Sequence, residues 1–274
     1  MDAWTLEKTG FDPAAAAGDG SRFLCANGYM GLRGAPEEAG PALFPAVTLA
    51  GVYDRFGDRW REPVNAPHCL CLRLTFNGRP MALGAAEPVS HRQELNWRYG
   101  IFRRETDFGP VTIRSTRFVS MAEHHLMACE YRMEFRETGE MALRSGISAA
   151  IWDINGPHLF GFRFEAGEAL TVRAVTGEKG IAVAAAQCAR PDFAAEETVE
   201  QTEEGLFRVY RKAVRAGDAL TVRVFSAVAS SLDGEDPAGL VRRLCPEACA
   251  RGFDACLRAH RRPGTGSGRG RRPS

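Results

Sequence analysis

Leu70-Cys71-Leu72-Arg73-Leu74-Thr75-Phe76, closed by Asn77-Gly78, decides the fold class of this 274-residue chain. Its apolar positions recur every second residue, the period of a strand with one buried face. Asn-Gly is a strong hairpin signal, because both residues tolerate the left-handed backbone of a tight turn. The same reading extends outward to Val111-Thr112-Ile113-Arg114-Ser115-Thr116-Arg117-Phe118, which sets Val111, Ile113 and Ser115 on one face and Thr112, Arg114 and Thr116 on the other. Further segments of this kind run from Leu126 to Phe135, Met141 to Ile151, Leu159 to Phe164, Leu170 to Thr176, Ile181 to Ala186, Leu206 to Val214 and Leu220 to Ala229. Parallel sheets need crossover helices, and no helical pattern separates these strands. The prediction is an all-β fold, a large antiparallel β-sandwich.

Near Pro237 the character changes to helix. Asp236-Pro237 can start one, and Cys245-Pro246-Glu247 predicts the start of a second, with proline at the first helical position and an acid in the first turn. That second helix is expected to run to about Arg261. The chain therefore divides into a sandwich domain over residues 1–235, a short helical segment over 236–261 and a tail over 262–274. The tail is Arg, Pro, Gly, Ser and Thr with nothing apolar to bury, and it is predicted to be disordered. A frame-shifted or truncated end is one reading of it, and a short nucleic-acid tail is another.

The net charge of +1 conceals this partition, because Arg261 to Ser274 carries five arginines and no acid. The remainder holds 30 basic and 34 acidic residues, a net of −4, with no surplus to neutralise phosphates. Nucleic-acid binding by the folded part is disfavoured on that ground. No apolar run approaches the roughly 18 to 20 residues of a membrane span, and the first residues lack a basic-then-apolar signal design. A cytoplasmic location is expected, in which the eight cysteines stay reduced.

One loop carries more information than the strands. Asn27-Gly28-Tyr29-Met30-Gly31-Leu32-Arg33-Gly34, followed by Ala35-Pro36-Glu37-Glu38, has three glycines in eight residues, the mark of backbone that turns sharply or approaches a neighbour closely. It fits neither phosphate-cradling glycine motif. Together with Ala50-Gly51-Val52-Tyr53-Asp54, Val64-Asn65-Ala66-Pro67, Arg92 with Glu94-Leu95, Gly100-Ile101-Phe102-Arg103-Arg104 and Arg117-Phe118-Val119-Ser120, it resembles the N-terminal domain of glycoside hydrolase family 65. That family holds the maltose, kojibiose and trehalose phosphorylases and their hydrolase relatives. Asn96 stands where the family pattern has an acid after leucine.

The resemblance implies a supersandwich of the galactose-mutarotase type, joined in the family through helices to an (α/α)6 barrel that holds the catalytic glutamates and the phosphate site. The expectation is a non-catalytic N-terminal domain of an α-glucoside phosphorylase or hydrolase, cut off before the barrel and inactive alone. Inorganic phosphate would act as co-substrate only in the complete enzyme, and no cofactor is expected. The implied partners are the barrel domain, an α-linked glucose disaccharide in the parent enzyme and a second copy in a homodimer. A stand-alone carbohydrate-binding module is the alternative.

The candidate residues for an interface or substrate entrance are Asn27, Tyr29, Arg33, Glu38, Tyr53 and Trp97; no catalytic residue and no metal ligand set is expected. The loop reads either as a structural turn with Tyr29 buried or as a surface facing the barrel. Arg33 and Glu38 are expected to form an ion pair. Glu37 and Glu38, as neighbours in an extended segment, are expected to point opposite ways and to be solvated or capping. Cys69 and Cys71 share a strand face and read as core; one of His124 and His125 is expected to pack inside. Cys245, Cys249, Cys256 and His260 fall on one helix face, expected to pack on the sandwich. Trp4, Trp60, Trp97 and Trp152 could stack on sugars, with Trp97 read first as packing or interface.

Overall fold

The computed structural model describes residues 3–261, so the expectation for the tail falls outside the described residues. Within them a nine-stranded sheet runs in spatial order Thr5–Thr9, Ser90–Asn96, Ile101–Asp107, Val111–Val119, Leu126–Phe135, Ala219–Ser230, Ala182–Pro191, Leu170–Thr176 and Leu159–Glu165. A five-stranded sheet orders Glu196–Thr202, Gly205–Val214, Gly139–Ser148, His68–Phe76 and Arg79–Pro80. The hairpin read from Asn77-Gly78 lies here, with Phe76 paired to Arg79. Both turn residues have the expected positive φ, 49° and 74°. A smaller, four-stranded sheet holds Cys25–Ala26, Met30–Leu32, Val47–Asp54 and Glu62–Ala66. Neighbouring strands within these sheets pair antiparallel throughout, as expected for a chain without crossover helices.

The three sheets share one core. Phe102, Ile113, Met133 and Val222 from the large sheet meet Leu70, Leu72, Leu74 and Leu143 from the five-stranded sheet and Leu32, Val47 and Val64 from the small one. Glu196–Thr202 escaped the sequence reading for a physical reason. As Glu-Glu-Thr-Val-Glu-Gln-Thr it buries no side chain fully and forms the charged edge of its sheet, which blunts edge-to-edge pairing. In the small sheet, Cys25–Ala26 and Met30–Leu32 are too brief for periodicity to register, whereas Val47–Asp54 breaks its alternation at the exposed pair Ala50-Gly51.

The C-terminal helices cover the outer face of the large sheet, and their boundary differs from expectation. Asp236 caps the first helix by accepting from Gly239 N at 2.8 Å. That helix runs through Pro246 as Pro237–Arg251. The break falls at Gly252, whose φ of 82° ends the helix, and Phe253–Arg261 forms the second. The predicted single stripe is thereby divided between two helices. Cys245 packs with Val241 and Leu244 on Ala184, Ala186, Ala227 and Ala229, whereas Cys256 packs with Phe253 on Ile101, Phe118 and Phe225. His260 stacks on Phe118 at 4.7 Å between ring centroids and accepts from Met121 N at 3.1 Å. All eight cysteines are unpaired, and no described helix is long and apolar enough to cross a membrane.

Four alanines beneath the first helix let its backbone sit close to the sheet, and Cys245 donates its thiol to Ala186 O at 3.3 Å. Ala227→Leu forces side-chain volume into that seam and is expected to cost about 1–3 kcal/mol. Urea unfolding measures the loss, and trypsin should then cut at Arg251. An unchanged unfolding midpoint contradicts the close seat.

Candidate functional site

The glycine-framed loop is held by its own first and last residues. Gly28 turns the chain at a φ of 87°, and the Asn27 side chain closes the turn by accepting from Tyr29 N at 3.0 Å and Met30 N at 2.9 Å. Its amide donates to Ser120 O at 2.7 Å and His124 O at 2.9 Å, tying the loop to the connection before Leu126–Phe135. Tyr29 is half-buried. Its ring meets His125 edge-on at 4.4 Å and its hydroxyl donates to Asp233; burial first, then the aspartate, push its pKa upward. His124 and His125 lie in that turn and not on a strand, and His125 is the one that packs, its Nδ1 3.1 Å from Val228 O. At Gly34 an added Cβ would lie 2.4 Å from Phe23 Cβ, so only glycine allows this approach.

Arg33 and Glu38 do not pair, contrary to the sequence expectation. Arg33 turns back to bind Phe44 O at 3.1 Å, Ser21 Oγ at 3.1 Å and Ala17 O at 2.5 Å, with its guanidinium 5.7 Å from the Trp152 ring centroid. Trp152 is itself fixed, donating Nε1–H to Pro45 O at 2.7 Å.

Glu37 and Glu38 overturn a second expectation. A tight turn, with Ala39 N bound to Pro36 O at 3.1 Å, places them at its two central positions, so their side chains converge. Both carboxylates are fully shielded from solvent and both bind Arg104. Arg104 Nε donates to Glu37 at 2.6 Å, and its terminal nitrogens hold both Glu38 oxygens, one at 3.1 Å. Glu37 also accepts from Arg117 at 2.8 Å and Ser115 at 2.9 Å. The sheet supplies these partners by register: Arg104 lies opposite Ser115 and Phe102 opposite Arg117 on paired strands. Alternation puts all four on the inner face, and the Arg117 guanidinium lies 4.1 Å from the Phe102 ring centroid.

The turn also reaches the opposing sheet. Leu72 N donates to Glu37 O at 3.1 Å, His68 Nε2 lies 3.3 Å from the same oxygen, and Leu83 N donates to Glu38 at 3.3 Å. Burial holds His68 at a pKa of about 4. Burial also pulls Glu37 upward, but Arg104 and Arg117 outweigh it and hold the carboxyl at about 2. For Glu38 burial prevails over Arg104, and its pKa is raised.

These shifts act oppositely on stability. The Glu37 contribution, on the order of 3 kcal/mol, is complete above its ordinary value of 4.5 and is lost as pH falls toward about 2. Protonating Glu38 over an acid range relieves part of a burial cost, so the two partly cancel. Glu37→Gln is expected to flatten the fall in unfolding free energy between pH 4.5 and pH 2 seen in the parent chain. Arg104→Met, which leaves Glu38 without a cation and Glu37 with Arg117 alone, is expected to cost about 3–5 kcal/mol at pH 7 by urea titration. A loss under 1 kcal/mol would show the cluster to be dispensable.

The other candidates separate. Tyr53 is exposed on the hairpin that also exposes Phe56 and Trp60. Trp97 is 63% exposed at a sheet-edge turn, its N–H bound to Trp4 O at 2.8 Å, so it is not core. Cys69 and Cys71 are fully buried, as expected. A cluster that the reading did not anticipate joins Glu62, Asp153 and His158, one ligand atom from each lying within 4.8 Å of the others. Some 90 residues separate Glu62 from its partners, which leaves no motif to find.

The glycosyl hydrolase family 65 N-terminal domain matches residues 6–263. Nigerose phosphorylase of Lachnoclostridium phytofermentans is 40% identical over 159 residues, covering 57% of this chain and 21% of its own. The 1,2-alpha-glucosylglycerol phosphorylase of Bacillus selenitireducens is 27% identical over 242 residues, covering 85% of this chain and 31% of its own. A solved structure from the human microbiome assigned as a kojibiose phosphorylase superimposes with a TM-score of 0.79 over 94% of this chain and 37% of its own, at 13% identity. The chain thus spans less than a third of the length of these two curated relatives. It belongs to glycosyl hydrolase family 65, as the N-terminal domain of that family.

Proposed function

We propose that this domain is the non-catalytic sandwich of an α-glucoside phosphorylase, working joined to a catalytic domain whose acid and phosphate site carry the reaction. The family match over residues 6–263 is the observation that carries this reading. The two curated relatives above are phosphorylases acting, by name, on nigerose and on 1,2-alpha-glucosylglycerol. Inverting phosphorolysis needs a carboxylic acid to protonate the leaving oxygen, with phosphate attacking from the opposite face. Glu37 and Glu38 are committed to arginines inside the core and are out of reach of a sugar.

The same reading gives the exposed hairpin a role. Tyr53, Phe56 and Trp60 stand out of the surface between Val47–Asp54 and Glu62–Ala66, and Trp60 is 66% exposed. Exposed Ile154 is beside them, its N–H bound to Glu62 at 2.9 Å, and exposed Phe160 packs at Gly177, which binds Asp54. A group of apolar side chains at one end suits a docking face for a second domain. Asn27, Tyr29 and Arg33 then serve by shaping the loop from behind. The unpaired thiols fit a reducing, cytoplasmic setting.

Trp97 and Trp60 keep the carbohydrate-binding module as a second reading, because an exposed indole can cover a pyranose face. Incubating the 274-residue chain with phosphate and nigerose, kojibiose or glucosylglycerol is expected to release no glucose 1-phosphate. Calorimetric titration with the same sugars is expected to give only dilution heat. Turnover would overturn the non-catalytic assignment, and saturable heat without turnover would favour the binding module.

A further inference from the structure

Two thiols, one on the large sheet and one on the helix that covers it, are brought together by matched spacing. On strand Ala182–Pro191, the residues Ala184, Ala186 and Cys188 alternate onto the outer face. On helix Pro237–Arg251, Cys245 and Cys249 lie one turn apart on the side that packs against that face. Cys245 donates its thiol to Ala186 O at 3.3 Å, which sets the register of helix on strand. Four helical residues rise about 6 Å and two strand residues span about 6.6 Å, so the step from Cys245 to Cys249 matches the step from Ala186 to Cys188. Cys249 thus arrives over Cys188, and a side-chain hydrogen bond joins the two thiols. The alanines beneath the helix keep the two backbones close, the condition that a cross-link between cysteines demands.

The two thiols sit in unequal surroundings. Cys188 is buried and donates to Glu168 O at 3.4 Å, whereas Cys249 alone among the eight cysteines keeps part of its surface in solvent. Arg190, on the same strand as Cys188, reaches Cys249 O at 3.5 Å and brings a cation to the end of the helix. The hydrogen bond from Cys188 first, and Arg190 after it, hold the Cys249 pKa below the ordinary thiol value, against burial and Glu168. The same hydrogen bond, followed by burial, pushes Cys188 upward. The neighbouring thiols lack this combination. Cys245 is fully buried and raised by burial, and so is Cys256, which donates to Ala248 O at 3.8 Å. A partly ionised, accessible thiol in contact with a second one has the makings of a redox pair.

We propose that Cys249 and Cys188 form a redox-active dithiol, oxidised by hydrogen peroxide to a disulfide that pins the C-terminal helix to the large sheet. The Cys249 thiolate attacks one peroxide oxygen, so that an S–O bond forms and the O–O bond breaks. The departing hydroxide recovers the proton that Cys249 released and leaves as water. Cys188 then attacks the Cys249 sulfur: the S–S bond forms, the S–O bond breaks, and hydroxide leaves with the Cys188 proton as a second water. The thiol pair loses two electrons, and one peroxide becomes two waters. In a reducing compartment such a bond is transient, as a sensor requires. Because the helix carries the chain from the sandwich to Phe253–Arg261, the cross-link fixes that exit. The reaction uses neither sugar nor phosphate and stands or falls independently of the function proposed above.

The reduced 274-residue chain is treated with stoichiometric hydrogen peroxide, blocked with an alkylating reagent and digested with trypsin and a glutamate-specific protease. Cleavage after Glu247 separates Cys245 from Cys249, so each pairing gives a distinct mass. The expected product is a peptide pair linked through Cys188 and Cys249 and reversed by dithiothreitol, with two of the eight thiols lost. Cys188→Ala puts one more alanine on an alanine face and removes the second thiol. It is expected to raise the dimedone adduct of Cys249 sulfenic acid about fivefold or more. Arg190→Gln is expected to slow alkylation of Cys249 at pH 7 by about threefold. Mapping of the parent chain needs no variant and decides the matter even where a variant fails to fold. A cross-link through Cys245, sulfinic acid at Cys249 with Cys188 still reduced, or alkylation of Cys249 no faster than that of the buried thiols would each overturn the proposal.

Discussion

Everything in this sandwich is arranged around a pair of glutamates that could not be there alone. Glu37 and Glu38 enter the core on one turn, and two arginines of the large sheet, Arg104 and Arg117, meet them in dry surroundings. Bringing such charges out of water costs several kcal/mol per ion, so the cluster survives only as a complete set. Replacing such a set by apolar residues of the same volume is often neutral or stabilising, so stability alone does not explain the ions. What the ions add is register. The turn seats only where Arg104 stands opposite Ser115 and Leu72 N lies beneath Glu37 O, which aligns the N-terminal loop with both large sheets at once.

The glycines before the turn make sense as its approach. Gly34 lets the chain pass Phe23 at a distance no side chain permits, and Gly28 reverses it so that Asn27 can bind the Ser120 and His124 carbonyls. Arg33, freed from Glu38, closes the far side on backbone carbonyls and on Trp152. The residues that make the family recognisable are therefore mostly those that assemble the domain. Buried carboxylates with displaced pKa values often mark an active site, but here both are committed to arginines inside the core.

The chemically open part of the molecule lies elsewhere, at the end formed by the hairpin between Val47–Asp54 and Glu62–Ala66. Its outer side exposes aromatic rings, and its inner side gathers three carboxylates around His158. A hairpin held at its base by these contacts presents Tyr53, Phe56 and Trp60 at lower entropic cost.

Strand periodicity was legible because it is local: the pleat forces alternation on any strand with one buried face, and Leu126–Phe135 and Leu170–Thr176 were read to the residue. It missed Glu196–Thr202, which has no buried face to mark it, and Ser90–Asn96 and Ile101–Asp107, whose buried positions include the polar His91, Gln93, Arg104 and Thr106; at Pro246 a local rule for helix starts lost to a helix already seated on the sheet. The order of motifs in the chain was enough to identify the family. Sequence by itself thus determined the fold class, the strands whose buried face is apolar throughout and the family. Only the tertiary structure decided which charges meet: Arg104 and Glu38 are 66 residues apart, Glu62 and His158 are 96 apart, and electrostatic pairing depends on distance in space, which no local pattern encodes.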